Sequence, residues 1–410
     1  DADADSDADA DSDADADSDA DADSDADADS DADADSDADS NADLETVEGS
    51  KTAGNVNTTL DAHGADVQYE IVGGRDAAQF TIEQDGGLRF KDAPDYEKPT
   101  DDGHDNVYDV RVKATSGADG ETIDVSVKVN DVNENVAYDK STTLGDGKRG
   151  WDGTLGGSNG NDQIKAGNGY EGVSTEGGHD KVNIGDAESG QWGAIKSGAG
   201  DDQVYAGDGW DDVRTADGAD TVAIGNSGAS TYESIDTGAG DDAVVAGDGW
   251  DLVTSGDGND LVNVGQDTRM AGDDPIINTG AGNDRIYAGD GWDQVHSGDG
   301  DDTLRLGNSD DRFWSSATTG NGNDDLKAGD NWDVVEVGGG NDKVAIGNAD
   351  TTQWSSMQLG DGNDTLAAGD GWDRVGAGTG NDQVTVGNAD TTSWGTIQLD
   401  AGNDTLVAGD

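Results

Sequence analysis

Residues 237–254 read Thr237-Gly238-Ala239-Gly240-Asp241-Asp242-Ala243-Val244-Val245, then Ala246-Gly247-Asp248-Gly249-Trp250-Asp251-Leu252-Val253-Thr254, two nonapeptides built to one pattern. Each opens on a glycine-rich turn, carries an acid at its sixth position and sets an aliphatic residue two places later. Ser255 to Asn263 makes a third nonapeptide. A longer piece, Val264 to Asn278, has no GxGxD of its own and completes a four-piece copy. The copy returns about every forty residues, as AGNGYEGV at 166, AGDGWDDV at 206, AGDGWDLV at 246, AGDGWDQV at 288, AGDNWDVV at 328 and AGDGWDRV at 368. Such a period means units that cannot bury their own apolar faces and must stack on their neighbours.

The sixth position holds across residues 156–410. On one half of the pieces it is Asp162, Asp180, Asp202, Asp220, Asp242, Asp260, Asp284, Asp302, Asp324, Asp342, Asp364, Asp382 and Asp404. On the other it is Glu171, Asp211, Asp251, Asp293, Asp333 and Asp373, so only Glu171 departs from Asp. Two places on stands an aliphatic residue every time, from Ile164, Val173 and Val182 to Val384 and Leu406. Glycine supplies positive φ and close backbone approach in the turn, and the aliphatic side chain points inward. The pattern matches G-G-x-G-x-D-x-U-x, and the region resembles the RTX family of calcium-binding parallel β-rolls. The resemblance implies a right-handed parallel β-roll, with consecutive nonapeptides on opposite sides of a flattened coil.

If two pieces make one turn, rungs rise about 4.8 Å each, and the first set of Asp residues becomes an unbroken carboxylate column. Neighbouring charges at that spacing repel by roughly 1 kcal/mol in water and several-fold more near a protein surface. A cation between rungs relieves this. Calcium suits the site, since it takes six to eight hard oxygen ligands, including the backbone carbonyls of glycine turns. Magnesium prefers a tighter octahedron and its own waters, and zinc or copper lack their usual partners in a chain with no Cys and four scattered His. The alternative is that these Asp residues form turns without an ion. One inward aliphatic per half-turn is a thin core, so calcium is expected to act as a folding switch.

The remainder of the 410 residues divides in three. Residues 1–41 form a low-complexity Asp-Ala and Asp-Ser tract with Asp at every odd position up to 39. It reads as a disordered, self-repelling spacer, or as a loose cation-binding or serine-modified segment. Residues 42–135 alternate apolar and polar in Val67–Val72, Phe80–Ile82, Leu88–Phe90, Val107–Val112 and Ile123–Val129, which predicts an antiparallel sandwich of about seven strands. Residues 136–155 read as a linker or cap. The fold class is all-β.

Landmarks of the second segment, Pro94-Asp95-Tyr96-Glu97, Tyr108 to Ala114 and Asp131-Val132-Asn133-Glu134-Asn135, resemble a cadherin repeat. That resemblance implies calcium held by Asp95, Glu97, Asp131, Asn133, Asn135 and Glu48. Two departures stand out. Thr115-Ser116-Gly117-Ala118-Asp119 replaces the family's Asp-x-Asp, and Glu134 stands at its last linker Asp.

Aromatics recur at two places in each copy. The second piece carries Tyr170, Trp210, Trp250, Trp292, Trp332 and Trp372. The fourth carries Trp192, Tyr232, Trp314, Trp354 and Trp394, with Asp274 at that register in one copy. These pieces alternate on one side, so the rings are expected to form a ladder. It would cover the core, stack on sugars, or drive assembly.

A formal charge of −70 makes nucleic acid an implausible partner, and no apolar run reaches transmembrane length. No nucleophile elbow, HExxH or phosphate loop is present, so an enzyme is not expected. The chain looks like an excised part of a longer one. Together the resemblances imply a calcium-binding extracellular segment of a bacterial RTX adhesin exported by type I secretion, with spacer, module and roll forming a stalk. The alternatives are a self-assembling surface-layer or filament subunit, a glycan- or ice-binding module, and halophilic adaptation without calcium.

Overall fold

The computed structural model describes residues 41–56, 67–84, 86–116, 119–132, 140–147, 154–188, 190–228, 232–267, 275–309, 314–349, 354–388 and 395–409. The Asp-Ala-Ser tract up to residue 40 lies outside them. The named elements of the described residues are all β-strands apart from a 3-10 turn at Ala77–Gln79.

The first part is a sandwich of seven strands: β1 Asn41–Val47, β2 Thr52–Asn55, β3 Gln68–Gly73, β4 Phe80–Ile82, β5 Gly87–Phe90, β6 Val107–Ser116 and β7 Asp119–Asn130. One sheet runs β1-β7-β6-β3 and the other β2-β5-β4. Period-two alternation drives the long β6–β7 hairpin. Tyr108, Val110, Val112 and Ala114 face Ile123, Val125, Val127 and Val129 into the core, all nearly solvent-free. Phe90 sits between Phe80, at a ring-centroid distance of 4.5 Å, and Tyr108, at 5.0 Å and edge-on. The expected sandwich is antiparallel with one exception: β1 pairs parallel to β7.

The second part is a roll of two parallel sheets, one of fourteen strands and one of thirteen. Strands three to five residues long alternate between them, so each turn takes two pieces. Turns of 18 residues alternate with turns of 22, and one of 24 between Asp260 and Asp284 accommodates the longer copy. The inward aliphatic of the pattern is buried throughout, from Ile164 to Val384 on the first sheet and from Val173 to Val375 on the second.

Three features differ from the sequence expectation. The roll begins earlier than residue 156: β8, Lys140–Thr143, pairs in parallel register with Asp162–Lys165, and Thr154–Ser158 opens the second sheet. The stretch expected as linker thus contributes the first rung, with Thr142 beside Ile164 where later rungs carry an aliphatic. The core is also thicker than one aliphatic per half-turn. On the first sheet the residue four after each Asp also packs inside, as Ile184, Ile224, Ala246, Val264, Leu306 and Ile346 do.

Finally, the sandwich does not extend the roll as a stalk; it lies against the outer face of the first sheet. Leu261 and Tyr287 of the roll join the sandwich core, while Ala223 and Val245 pack with Val47 and Val132. Asn263 donates through Nδ2 to the Glu45 carbonyl at 2.6 Å, and Arg285 Nε lies 3.4 Å from the Glu45 carboxylate. Outward positions on that sheet elsewhere carry Lys165, Asn183, Arg305 and Lys327. Outward Tyr205, Ala223, Val245, Leu261 and Tyr287 mark where another surface covers them.

Candidate metal centre

Stacking sets the Asp column. In each rung from Asp162 to Asp382 the Asp backbone N–H donates to Oδ1 of the next Asp up the stack, at 2.7–3.1 Å. These side chains are buried, and one carboxylate oxygen of each, Oδ1 in Asp162 and Oδ2 in the rest, has no hydrogen-bond partner. A buried carboxylate left half-satisfied costs several kcal/mol unless a cation completes it.

The glycine turns bring backbone carbonyl oxygens close to the column. Gly240 has φ +142°, and a Cβ built on it would fall 1.9 Å from the Gly218 carbonyl oxygen of the preceding rung; at Gly258 the corresponding contact, to Gly240 O, is 1.8 Å. At Gly402 such a Cβ would lie 1.3 Å from Gly380 O and 2.7 Å from Asp404 Oδ1. Glycine carbonyls thus pack closely from rung to rung beside the Asp column, in a space that only a residue without a Cβ leaves open. Hard oxygens of both kinds, stacked without nitrogen or sulfur, fit calcium.

Electrostatics agree. Burial pushes the Asp202 and Asp242 carboxyls up to about 8, Asp302 and Asp342 to about 7, and Asp220, Asp260 and Asp364 to about 6; like charges nearby add to the rise. Between pH 4 and 8 the metal-free roll thus binds more protons than the unfolded chain, so its stability falls as pH rises. In EDTA, lowering the pH from about 8 to about 5 should raise the roll's sheet signal in circular dichroism. A metal-free roll that grew more stable toward pH 8 would contradict this origin of the shifts.

The opposite side is not a second such column. Asp211, Asp251, Asp293, Asp333 and Asp373 are buried, but each alternates with a fourth-piece residue, such as Gly193, Glu233, Ser315 or Ser355. Their carboxylates anchor that piece. Gly193 N–H donates to Asp211 at 2.6 Å, Glu233 to Asp251 at 2.9 Å, Ser315 to Asp333 at 2.9 Å and Ser355 to Asp373 at 3.0 Å. Asp333 and Asp373 return the bond through their own N–H to the Ser315 and Ser355 hydroxyls. The second-side acids thus anchor the fourth piece through one carboxylate oxygen, while Oδ1 of Asp211 and of Asp373 is buried with no hydrogen-bond partner, as on the first side.

In the sandwich, Glu48, Glu97 and Asp131 come together, with carboxylate oxygens within 4.8 Å of one another. Glu48 is buried and accepts the Tyr96 and Val132 N–H groups. Asp95 instead pairs with Lys98 at 2.9 Å. Asn133 and Asn135 lie outside the described residues.

The aromatic ladder splits into two rows. Tyr170, Trp210, Trp250, Trp292, Trp332 and Trp372 are buried in the roll core, and each indole donates to a glycine carbonyl, as Trp250 does to Gly225 O at 3.2 Å. The five indoles expected as a possible ligand face are therefore core. Trp192, Tyr232, Trp314 and Trp354 are more than half exposed. Trp394 lies outside the described residues.

Sequence reasoning also missed two ladders of side-chain acceptors outside the Asp column. Asp186, Asp208, Asn226 and Asp248 accept backbone N–H groups from the following rung at 2.8–3.0 Å. Asn323, Asn341, Asn363 and Asn381 do the same. The signal was the alternation of Asp with Asn after Gly207, Gly225 and Gly247, which spares a column full charge.

A family model described as the RTX calcium-binding nonapeptide repeat (4 copies) matches residues 194–222, 233–262, 271–304, 316–344 and 356–384. No curated protein and no solved structure matches the chain. No helix among the described residues is long and apolar enough to cross a membrane. With the Asp column, the glycine cradle and the two-sheet stack, the matched segments identify the stacked repeats of this chain as RTX-type calcium-binding nonapeptide repeats wound into a parallel β-roll.

Proposed function

We propose that this chain is a non-catalytic, extracellular structural and adhesive segment of a bacterial surface adhesin, whose roll folds and stiffens when it meets calcium outside the cell. The observation that carries the reading is the column of buried, half-satisfied carboxylates from Asp162 to Asp382. At cytosolic calcium the acidic roll stays unfolded and can be threaded outward by type I secretion. At extracellular calcium, binding adds its free energy directly to folding.

The same reading extends to the sandwich. Its β1-β7-β6-β3 and β2-β5-β4 sheets with a parallel first–last pair, and the Glu48–Glu97–Asp131 cluster, support a cadherin-like calcium module. Because this module packs on the roll through Asn263, Tyr287 and Leu261, it stiffens the segment by bracing its flank. The Asp-Ala-Ser tract then acts as a spacer ahead of both.

Beads carrying the full chain are expected to hold to a bacterial biofilm at about 1 mM free calcium, in the affinity range of extracellular modules, and to release in EGTA. The Asp242→Asn/Asp260→Asn variant should need several-fold more calcium for the same retention. Retention that ignores both calcium and the variant would sink the adhesin reading.

A further inference from the structure

The exposed aromatic row goes beyond calcium binding. Trp192, Tyr232, Trp314 and Trp354 are 51, 58, 51 and 53% exposed. They are not on wandering loops. The residue after each donates its N–H to a buried second-side Asp, and the chain then enters a strand at Ala194–Lys196, Ser234–Asp236, Ser316–Thr318 or Ser356–Gln358. Each backbone anchor is thus fixed to the rung spacing. Two rungs separate Trp192 from Tyr232 and Trp314 from Trp354, a step of roughly 9.5 Å along the roll.

We infer that this row is a binding platform for an extended, uncharged β-linked polysaccharide, with Trp314 and Trp354 as its main stacking pair. Three observations choose the occupant. The two-rung step is close to the length of one disaccharide in an extended β-1,4-linked chain, so successive rings meet equivalent sugar faces. The rings are discrete and evenly set rather than a contiguous apolar patch, which fits stacking on a linear polymer better than docking of a folded protein. A net charge of −70 repels polyanions and a second copy of the chain, leaving uncharged polymers favoured.

Among the described residues the row consists of two pairs, Trp192 with Tyr232 and Trp314 with Trp354. A ligand spanning two rings gains from the second contact as an intramolecular event, so length of the glycan sets affinity.

The test uses the full chain in millimolar calcium, with cellohexaose and the hexamer of N-acetylglucosamine as probes and tryptophan fluorescence as readout. Circular dichroism in the same buffer establishes that the roll is folded, so that a failure of calcium-dependent folding is seen separately. At least one hexaose is expected to bind about tenfold more tightly than its disaccharide. Replacing all four rings, Trp192, Tyr232, Trp314 and Trp354, by Ala should abolish the gain without changing the calcium-induced dichroism, Trp314→Ala/Trp354→Ala alone should lower it, and Trp314→Phe/Trp354→Phe should keep most of it. Failure of both hexaoses to bind the folded chain, binding unaltered in the alanine variant, or equal binding of a polyuronate would overturn the proposal.

Discussion

Gly240→Ala and Gly258→Ala should each destabilise the calcium-loaded roll by about 4 kcal/mol or more, a loss of the size that only core or backbone lesions produce. The methyl group has nowhere to go. It would stand 1.9 Å from Gly218 O in the first case and 1.8 Å from Gly240 O in the second. The obstruction is backbone rather than a movable side chain, and neighbouring rungs hold it, since Gly240 N–H is itself bonded to Asp257 O. The φ angles, +142° and +152°, add a penalty of roughly 1–3 kcal/mol for any residue with a Cβ. Gly156→Ala is the control, because nothing lies within 4 Å of its Cβ and its φ is not positive. Thermal melts in saturating calcium should separate the two classes by about 10 °C or more. Equal melting of Gly240→Ala and Gly156→Ala would mean that rungs are not stacked this closely.

Withdrawal of metal should have the larger effect, loss of the whole roll. Each buried, unpartnered carboxylate oxygen costs about 1–3 kcal/mol or more. The column repeats that cost at Asp180, Asp202, Asp220, Asp242 and onward, with repulsion between neighbours added. A domain's net stability is only about 5–15 kcal/mol, so the repeated term is large enough to cancel it. The sandwich has its own core around Phe80, Phe90 and Tyr108 and should keep its strands. Its shared surface with Leu261 and Tyr287 would be exposed, so it should melt earlier once the roll is gone.

What is legible in the sequence depends on how locally each residue's role is fixed. The Asp column and the aliphatic two places on were legible because the pattern repeats and the period is rigid. The different surroundings of Asp242 and Asp251 were not, since both occupy the sixth place of the same nonapeptide; the neighbour on the preceding rung, Asp220 against Glu233, decides what the carboxylate meets. The two aromatic rows were confounded for a similar reason. Trp250 lies one glycine turn above Gly225 O and points in, whereas Trp314 sits in the irregular piece and points out. The difference was readable in part, because the second-piece ring always stands two places after a Gly-Asp or Gly-Asn step, while the fourth-piece position tolerates Tyr232 and Asp274.

Long-range docking was the least visible. Tyr205, Val245 and Tyr287 alternate with core residues as any strand does, and only their contrast with Lys165, Arg305 and Lys327 at equivalent rungs reveals a covered face. The Lys140–Thr143 rung was hidden because Thr142 stands where an aliphatic was sought. In the sandwich, β1 was missed as a strand because Leu44 and Val47, its buried aliphatic residues, stand three apart rather than in period-two alternation.

Far-UV circular dichroism of the full chain, titrated with calcium from EDTA and with magnesium in parallel, tests the central claim most directly. A coil-dominated spectrum that gains the roll's sheet signal cooperatively with calcium, and gains little with magnesium at the same concentration, is the expected result. A complete sheet spectrum in EDTA at pH 8, unchanged by either ion, would contradict it.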